Sequence, residues 1–354
     1  MSRFLSASQK DLVPYVPGEQ PRDKRYIKLN TNESPFPPSA KAQAYAAEAA
    51  KSLHLYSDPN CTALTAKAAE YYGVQPENII FTNGSDEALY FAFLAFCDGD
   101  RPAIFPDITY GFYKVYASLN HVPFTQIPLK DDFTIDIADY TGNNATIFIA
   151  NPNAPTGLLL GLDKIETILK ANPDRIVVID EAYVDFGGES AVKLISKYEN
   201  LLVTRTFSKS RSMAGARLGM AMGNKALIDD LKAIKYSTNP YNVNAMTMAA
   251  GLGSMEDDAY FRTNCQKVCD TRAWTTRQLR DRGFEVLDSS ANFIFAKHSG
   301  LPGKNLYLDL KSKGILIRHF DTPRLTDYIR ITIGSDSEMA AFIQTIDTIM
   351  EETL

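Results

Sequence analysis

The sequence predicts an α/β protein with a mostly parallel sheet between two layers of helices, followed by a smaller α+β domain. Short apolar strands alternate with helical patterns up to about residue 245, which is typical of a parallel sheet covered on both faces. Several of these strands end in polar or charged residues, as expected at the edge where such sheets bind ligands. Beyond residue 245 the order changes to a long helical stretch, several strands and a terminal helix.

The elements of the larger domain follow from local patterns. Pro35, Pro37 and Pro38 exclude a helix from the extended N-terminal region. Runs rich in β-branched and aromatic residues predict strands near 78–82, 102–105, 145–150, 175–180 and 201–207. Helical periodicity predicts helices near 62–72, 86–97, 162–171 and 224–236. We therefore assign residues 41–243 to a large, ligand-binding domain.

The C-terminal part has a different order of elements. Helical patterns cover residues 244–282 and the chain from 336, and strands are expected near 284–288, 292–297, 315–317 and 328–333. We assign residues 244–354 to a small α+β domain and expect the N-terminal arm, residues 1–40, to join it.

Composition excludes several classes of function. A net charge of −5 without a basic run argues against a nucleic-acid partner. No apolar stretch approaches the roughly 20 residues that span a bilayer, and the N-terminus lacks the apolar centre of a signal peptide, so we expect a cytoplasmic protein. The 4 cysteines and 4 histidines are scattered, which predicts neither a disulfide scaffold nor a metal site.

The most informative segment is the strand-like run 203–207 that leads to Ser208 and Lys209, with Arg217 soon after. A lysine that follows a buried strand faces the ligand crevice of an α/β protein. Near low-dielectric walls and a second cation, its amine loses a proton readily and becomes the nucleophile that a Schiff base requires. Ser208 and Arg217 would then hold a phosphate. A lone lysine is more often a solvated surface charge, so this segment alone leaves a pyridoxal-phosphate site and that alternative open.

A second segment places Asp180 and Tyr183 after the continuous apolar run 176–179. An acid in this position often only caps the next element. A carboxylate is also what pyridoxal phosphate needs opposite its ring nitrogen, because it keeps that nitrogen protonated and the ring able to accept electrons. The Tyr183 hydroxyl would then face the phenolic oxygen of the ring.

A third segment, residues 83–88, joins a strand to the start of an apolar helix. Gly84 frees the turn, and the N–H groups at the start of a helix form an anion site. An ordinary cap by Ser85 or Asp86 is the simpler interpretation of this segment by itself. In series with Ser208 and Arg217, a phosphate-binding cup is the better one.

Together, these segments resemble the fold-type I pyridoxal-phosphate enzymes, and more closely the histidinol-phosphate aminotransferase family, over nearly the whole chain. The motifs that carry the resemblance lie at residues 14–18, 29–35, 56–59, 83–87, 109–111, 151–157, 180–183, 208–209, 217 and 328–332. Each motif is short, but their order and spacing are specific for the superfamily. The resemblance implies a large domain built on a mostly parallel, seven-stranded type of sheet, with a smaller α+β domain.

The resemblance also implies roles for single residues. Lys209 resembles the lysine that bonds to the cofactor and shuttles a proton, Asp180 the partner of the ring nitrogen, and Tyr183 the partner of the phenolic oxygen. Tyr110 is similar to the aromatic residue that stacks on the cofactor. The residues expected to hold the cofactor phosphate are Ser85, Asp86, Thr206, Ser208 and Arg217.

Substrate and subunit contacts are implied in the same way. Tyr56 is similar to a tyrosine that reaches the phosphate of the neighbouring subunit, which implies a homodimer. Arg318 and Arg330 resemble the arginines that bind the substrate's carboxylate or phosphate, and Tyr15 lies in the segment that closes over the substrate. Asn32 completes the predicted substrate-binding set. Arg330 also lies within a strand-like run, where a guanidinium is awkward unless it meets an anion.

One position departs from the family. The usual asparagine before the proline of the Pro-Thr-Gly turn, which hydrogen-bonds the phenolic oxygen, is Ala154 in this chain. Alanine cannot make that bond. We take Asn153 as the candidate for this role. If no residue supplies this hydrogen bond, the phenolic oxygen would depend more on Tyr183.

The predicted activity is transamination between L-histidinol phosphate and 2-oxoglutarate. Three alternatives remain: a decarboxylase of a phosphorylated amino acid, such as threonine phosphate; a broader aromatic or aliphatic amino-acid aminotransferase; and a non-catalytic ligand-binding module. The last would not need Lys209 and Asp180 together. A nicotinamide dehydrogenase is disfavoured, because no G-x-G-x-x-G motif opens a helix after a strand.

Overall fold

The computed structural model describes residues 2–10 and 12–353, in which strands and helices alternate along much of the chain. The strands are β1 (Ile27–Lys28), β2 (Ile79–Thr82), β3 (Ala103–Pro106), β4 (Phe124–Ile127), β5 (Thr146–Ala150), β6 (Val177–Asp180), β7 (Leu201–Thr206), β8 (Gly219–Gly223), β9 (Glu285–Val286), β10 (Phe293–Lys297), β11 (Ile315–Leu316), β12 (Arg318–His319) and β13 (Tyr328–Thr332). The α-helices are α1 (Ala40–Ala49), α2 (Thr62–Tyr72), α3 (Ser85–Phe96), α4 (Phe112–Leu119), α5 (Leu162–Ala171), α6 (Lys225–Thr238), α7 (Ala245–Met255), α8 (Asp258–Arg280), α9 (Gly303–Ser312) and α10 (Asp336–Thr353).

Seven strands form the central sheet in the order β2-β8-β7-β6-β5-β3-β4. Strands β3 to β7 are parallel, whereas β8 is antiparallel to both of its neighbours. Consecutive apolar residues of the central strands are buried on opposite faces, as a parallel sheet between helices requires. Ile147, Ile149 and Ile179 pack in one core cluster, and Phe148 and Val178 pack in the other. The predicted α/β class with a mostly parallel sheet is confirmed.

Strand β8 brings the start of α3 close to the end of β7. Gly219 at its start pairs with Thr82 at the end of β2, beside the first residue of α3, Ser85. A Cβ atom on residue 219 would lie 2.2 Å from the backbone nitrogen of Ser85, so only glycine permits this approach. The start of α3 therefore lies against the end of β7 and the loop that precedes β8.

The C-terminal part contains a four-stranded antiparallel sheet in the order β12-β13-β10-β9. Strand β1 pairs in parallel with β11 in a separate two-stranded sheet. Leu29, just after β1, belongs to the same core cluster as Ile294, Ile329, Phe342 and Ile346. The N-terminal region and the C-terminal sheet thus share a core. The division of the chain at residues 40/41 and 243/244 remains a prediction.

Some elements differ from the sequence-based prediction. The stretch 244–282 is two helices, α7 and α8, because the Asp257 side chain caps a new helix by accepting a hydrogen bond from the backbone N–H of Tyr260. The predicted strand near 315–317 is β11, which pairs with β1. The sequence patterns do not predict strands β1, β4, β8 and β12 or helices α1, α4 and α9. In the described ranges, no helix is long and apolar enough to cross a membrane.

Candidate active site

A cavity opens at the carboxyl ends of β5, β6 and β7, where polar groups from separate segments converge. Parallel strands bring their carboxyl ends to one edge, which is where ligands bind in open α/β sheets. Nine of the predicted cofactor-binding residues line this cavity: Ser85, Asp86, Tyr110, Asp180, Tyr183, Thr206, Ser208, Lys209 and Arg217.

Lys209 lies in the turn after β7. Its Nζ donates a hydrogen bond to the backbone oxygen of Thr31 at 3.1 Å. Burial of the amine, and then the nearby charges of Arg330 and Arg217, lower the pKa of Lys209 to about 8. A substantial fraction of the side chain is therefore neutral near physiological pH, as a nucleophilic amine requires.

Asp180 is the last residue of β6 and is only 4% exposed. Its Oδ1 accepts a hydrogen bond from Thr204 Oγ1 at 2.9 Å, and its Oδ2 accepts one from the Tyr113 hydroxyl at 3.1 Å. Burial raises the pKa of Asp180 to about 6, and the two hydrogen bonds oppose that rise. At neutral pH the group is a carboxylate held in one orientation, able to pair with a protonated ring nitrogen.

Tyr183 contributes the hydroxyl on another wall of the cavity. Its oxygen accepts a hydrogen bond from Asn32 Nδ2 at 3.0 Å, and its ring packs edge-on against Phe293. Lys209 Nζ lies 5.8 Å from the centre of the Tyr183 ring. Burial raises the pKa of Tyr183, so the phenol keeps its proton at neutral pH.

The opposite end of the cavity is formed by the start of α3. The N–H groups of Ser85 and Asp86 lie in the first turn of that helix, where they have no intrahelical partner. Asp86 accepts hydrogen bonds from the Tyr110 hydroxyl at 2.6 Å and from Arg217 Nη2 at 2.8 Å. Arg217 also approaches Gly84 so closely that a Cβ there would lie 2.7 Å from Nη2. A cation and free N–H groups thus meet at one end.

Two hydroxyls complete this anion-binding end. The Oγ atoms of Thr206 and Ser208 are 2.9 Å apart, and the Ser208 N–H donates to Thr206 Oγ1 at 3.1 Å. Both residues line the cavity beside Lys209 and Arg217. Hydroxyls, helix N–H groups and a guanidinium form a donor set suited to a phosphate dianion.

Asn153 is not brought into the cavity. Its Nδ2 donates to the Ile108 backbone oxygen at 3.0 Å and to Thr156 Oγ1 at 3.1 Å, and its Oδ1 accepts from Thr109 Oγ1 at 2.9 Å. The side chain is therefore fully engaged within the surrounding loops, and the geometry gives no support to the predicted cofactor contact. Ala154 does line the cavity, without a polar side-chain atom to offer.

The predicted substrate residues lie around Arg330. Arg318 and Arg330 are direct neighbours across β12 and β13. Arg330 Nη2 donates to the backbone oxygen of Asn30 at 3.0 Å, and burial, together with Arg318, lowers the pKa of Arg330. Tyr15 stacks on Phe112 with ring centroids 4.2 Å apart, and Phe112 in turn packs against Tyr110, which lines the cavity.

Tyr56 lies on the surface of the chain. It is 83% exposed and stacks on Tyr241 with ring centroids 4.5 Å apart. It is not one of the cavity-lining residues in the described part of the chain. An exposed position leaves Tyr56 available for contact with another molecule, which the predicted role in a neighbouring subunit requires.

Sequence reasoning missed Tyr113 and Thr204, which fix Asp180. Tyr113 sits three positions after Tyr110 on the inward face of α4, and Thr204 pairs with Asp180 across β6 and β7. A buried tyrosine in a helix is usually core packing, so only the spacing from Tyr110 could have indicated its role.

Two further cationic residues, Arg205 within β7 and Arg211 after it, do not line the cavity. Successive residues of a strand point to opposite faces, so Arg205 turns away from Thr206 and pairs with Glu181 and Asp185. Arg211 donates to the backbone oxygen of Ser254. Positive charge at the cavity comes instead from Lys209, Arg217 and Arg330.

The residues present fit pyridoxal phosphate. One end of the cavity offers phosphate donors, Asp180 offers a carboxylate for a ring nitrogen, and Lys209 offers an amine whose pKa is lowered to about 8. Gly219 keeps the start of α3 close to this edge. When bound, the cofactor supplies an electron-accepting ring.

Fold and site together define a pyridoxal-phosphate-dependent aminotransferase of class I and II. The family "Aminotransferase class I and II" matches residues 24–346. Within that class, the chain belongs to the histidinol-phosphate aminotransferase family.

Three similar proteins illustrate this relationship. The histidinol-phosphate aminotransferase of Brachyspira hyodysenteriae is 52% identical over 99% of this chain and 100% of the relative. Histidinol-phosphate aminotransferase 2 of Dechloromonas aromatica is 50% identical over 96% of this chain and 97% of the relative. The crystal structure of the Sinorhizobium meliloti histidinol-phosphate aminotransferase, in complex with pyridoxal-5'-phosphate, has the same fold, with a TM-score of 0.88, 24% identity and 99% coverage of both chains.

Proposed function

We propose that this chain transfers the amino group of L-histidinol phosphate to 2-oxoglutarate, giving imidazole acetol phosphate and glutamate, as a cytoplasmic enzyme of histidine biosynthesis. The relatives at 52% and 50% identity carry the name histidinol-phosphate aminotransferase. The observation that carries the proposal is Arg330: the residue is half-buried, and its enclosed Nε has no hydrogen-bond partner within residues 2–10 and 12–353. A half-buried guanidinium whose Nε donor has no partner in this part of the chain is suited to an anionic group of a substrate.

The remaining residues take the following proposed roles. Lys209, as a neutral amine, accepts a proton from the substrate carbon and returns it to the cofactor side. Asp180 keeps the ring nitrogen protonated, and Tyr183 donates to the phenolic oxygen. Tyr110 stacks on the ring. Arg318 and Tyr15 surround the substrate together with Arg330.

The two substrates explain why arginine is suited to this position. Histidinol phosphate presents a phosphate and no carboxylate, whereas glutamate presents carboxylates, so one pocket has to accept both kinds of anion in alternate half-reactions. A planar guanidinium can bind a pair of oxygens from either group.

We also propose that the active enzyme is a homodimer in which Tyr56 completes the phosphate site of the partner. Its support is the exposed aromatic pair Tyr56 and Tyr241, beside Leu55, which is 64% exposed. Tyr236 is also exposed and donates a hydrogen bond to Asn60 Oδ1, so these residues belong to one surface. Exposed apolar patches of this kind mark sites of association.

Steady-state kinetics with four amino compounds test the function. We expect histidinol phosphate to be the best amino donor, with histidinol far poorer because it has no phosphate, and phenylalanine poorer still. Release of carbon dioxide from threonine phosphate would instead identify a decarboxylase. Equal rates with histidinol and histidinol phosphate would contradict the phosphate-directed proposal and favour the broader aminotransferase.

A further inference from the structure

Asn32 is a buried polar residue near the cavity whose side chain and backbone are both hydrogen-bonded. It is only 2% exposed, its Oδ1 accepts a hydrogen bond from Thr332 Oγ1 at 3.0 Å, and its Nδ2 donates to the Tyr183 hydroxyl at 3.0 Å. Its backbone N–H donates to Thr332 Oγ1 at 2.9 Å, and its backbone oxygen accepts from Asn292 Nδ2 at 3.0 Å. Every polar group of the residue therefore has a partner.

The backbone of Asn32 is held in the left-handed region, with a φ of 55°. Asparagine and aspartate adopt this conformation more readily than other side chains with a Cβ. The strand β13, which carries Thr332, thus fixes both the backbone and the amide of Asn32. The amide cannot rotate to present its oxygen to Tyr183 without losing the bond from Thr332.

This orientation determines what Tyr183 can do. A hydroxyl that accepts a hydrogen bond from an amide N–H keeps its own proton available to donate. Tyr183 lines the cavity, so that proton is available to a ligand there. If residue 32 offered an acceptor instead, the hydroxyl would turn its proton toward that acceptor.

We propose that Asn32 is a positioning residue that holds Tyr183 as a hydrogen-bond donor toward the cofactor's phenolic oxygen, an interaction for which Ala154 offers no donor of its own. The proposal rests on the proposed role of Tyr183. It differs from the sequence-based prediction, which placed Asn32 at the substrate. The Asn32 side chain contacts Tyr183 at 3.0 Å. The Asn153 side chain is hydrogen-bonded to loop residues outside the cavity.

The experiment is a pH titration of the visible absorption of the cofactor-loaded enzyme in the absence of substrate. A hydrogen bond to the phenolic oxygen favours its deprotonated form, so losing that bond raises the midpoint of the titration. Tyr183→Phe is the reference and should raise the midpoint. Asn32→Asp keeps the size and the left-handed backbone but replaces the N–H donor with an acceptor. We expect it to raise the midpoint by about one pH unit, a tenfold change in proton affinity.

The matched control is Asn30→Asp, which places a carboxylate two residues away in the same buried segment. Asn30 Nδ2 donates to the backbone oxygen of Glu19 and makes no hydrogen bond to Tyr183. Asn30→Asp therefore reports the effect of a nearby charge while the hydrogen bond to Tyr183 stays in place, and we expect the midpoint to shift by only a few tenths of a unit.

The outcomes separate the two proposals. If Tyr183→Phe shifts the midpoint and Asn32→Asp shifts it no more than Asn30→Asp, Asn32 does not position Tyr183, while the role of Tyr183 stands. If Tyr183→Phe leaves the midpoint unchanged, both roles are overturned. Asn32→Ala serves as a second variant. A raised KM for the amino donor with an unchanged titration would return Asn32 to the substrate site and overturn the inference.

Discussion

The Tyr113 hydroxyl donates a hydrogen bond to Asp180 Oδ2 at 3.1 Å from a side chain with no exposed surface. The ring packs against Phe105, Tyr110 and Phe148, so the hydroxyl cannot move away without disturbing the core. The Asp180 carboxylate is thus oriented by helix α4 as well as by Thr204 of the neighbouring strand β7.

Tyr113→Phe removes this hydroxyl and keeps the ring. A hydrogen bond to a carboxylate lowers its pKa, so its loss should raise the pKa of Asp180 above its present value of about 6. We expect the acid limb of the pH–rate profile to move to higher pH and kcat/KM to fall on the order of 10-fold. Tyr116→Phe, which removes another tyrosine hydroxyl from the same helix, is the control. Equal profiles for the two variants would argue against a role for Tyr113.

The pKa of Lys209 predicts how fast the apoenzyme binds its cofactor covalently. The neutral amine is the reactive form, and it becomes the major form as the pH rises through about 8. Below that pH the rate should rise about tenfold per unit, and above it the rate should level off. Stopped-flow absorbance measures this, and borohydride reduction should fix the cofactor to the peptide that contains Lys209. Labelling of a different lysine would contradict the assignment of Lys209 as the residue that bonds to the cofactor.

Arg330→Ala should weaken both half-reactions. Losing a charge-assisted pair in a closed site costs on the order of 2–4 kcal/mol, or roughly 30- to 1,000-fold in kcat/KM. Arg330→Lys should recover only part of this loss, because an ammonium cannot hold two oxygens in one plane. Single-turnover kinetics with histidinol phosphate and with 2-oxoglutarate measure each half separately. A loss confined to one half-reaction would contradict a shared anion site.

The proposed dimer predicts complementation between two inactive variants. In a mixed dimer of Tyr56→Phe with Lys209→Ala, one site carries both changes and the other carries neither. We expect partial recovery of activity on mixing the subunits, relative to either variant alone. Full activity in a stable monomer, measured by light scattering together with the assay, is the result that excludes this arrangement.

The ion pairs behind the sheet predict a large effect on stability. Arg205 is buried and contacts the carboxylates of Glu181 and Asp185. Arg205→Ala leaves these two acids without their cation, and we expect a loss of about 3–5 kcal/mol in the free energy of unfolding by urea. The exposed pair of Lys193 and Glu189 is the control, and Lys193→Ala should cost less than about 1 kcal/mol.

The sequence predicted those strands whose own residues favour a strand. Runs such as Ile147–Ile149 and Val177–Ile179 are rich in β-branched residues and are buried on both faces. Strand β8 (Gly219–Gly223) has the sequence GMAMG, with no β-branched or aromatic residue, so only its pairing with β2 and β7 makes it a strand. Strand β4 is a short edge strand with mostly exposed residues, which gave no apolar signal.

The candidate site shows the same limit at the level of single side chains. The order of motifs along the chain predicted that Lys209, Asp180 and Arg217 meet. Motif order cannot show which way an amide points, and so it placed Asn153 at the cofactor and Asn32 at the substrate. The hydrogen bonds of Asn153 lie in the loops around residues 108–109 and 156, and Asn32 contacts Tyr183.

Strand β2 reaches the central sheet only through β8, since β8 is its sole strand neighbour in the part of the chain that the structure describes. A long chain segment separates β2 from β8. Closing this long loop costs only slightly more free energy than closing a short one, because the entropy of loop closure grows with the logarithm of length. The separation of β2 from β8 along the chain does impose an order in which parts of the sheet form during biosynthesis. The N-terminal part of a nascent chain leaves the ribosome first. Strand β2 and the start of α3 therefore cannot join the central sheet until residues 219–223 have also left the ribosome. The phosphate-binding end is therefore assembled late, and a chain that stops before residue 219 carries this helix without the strand that supports it.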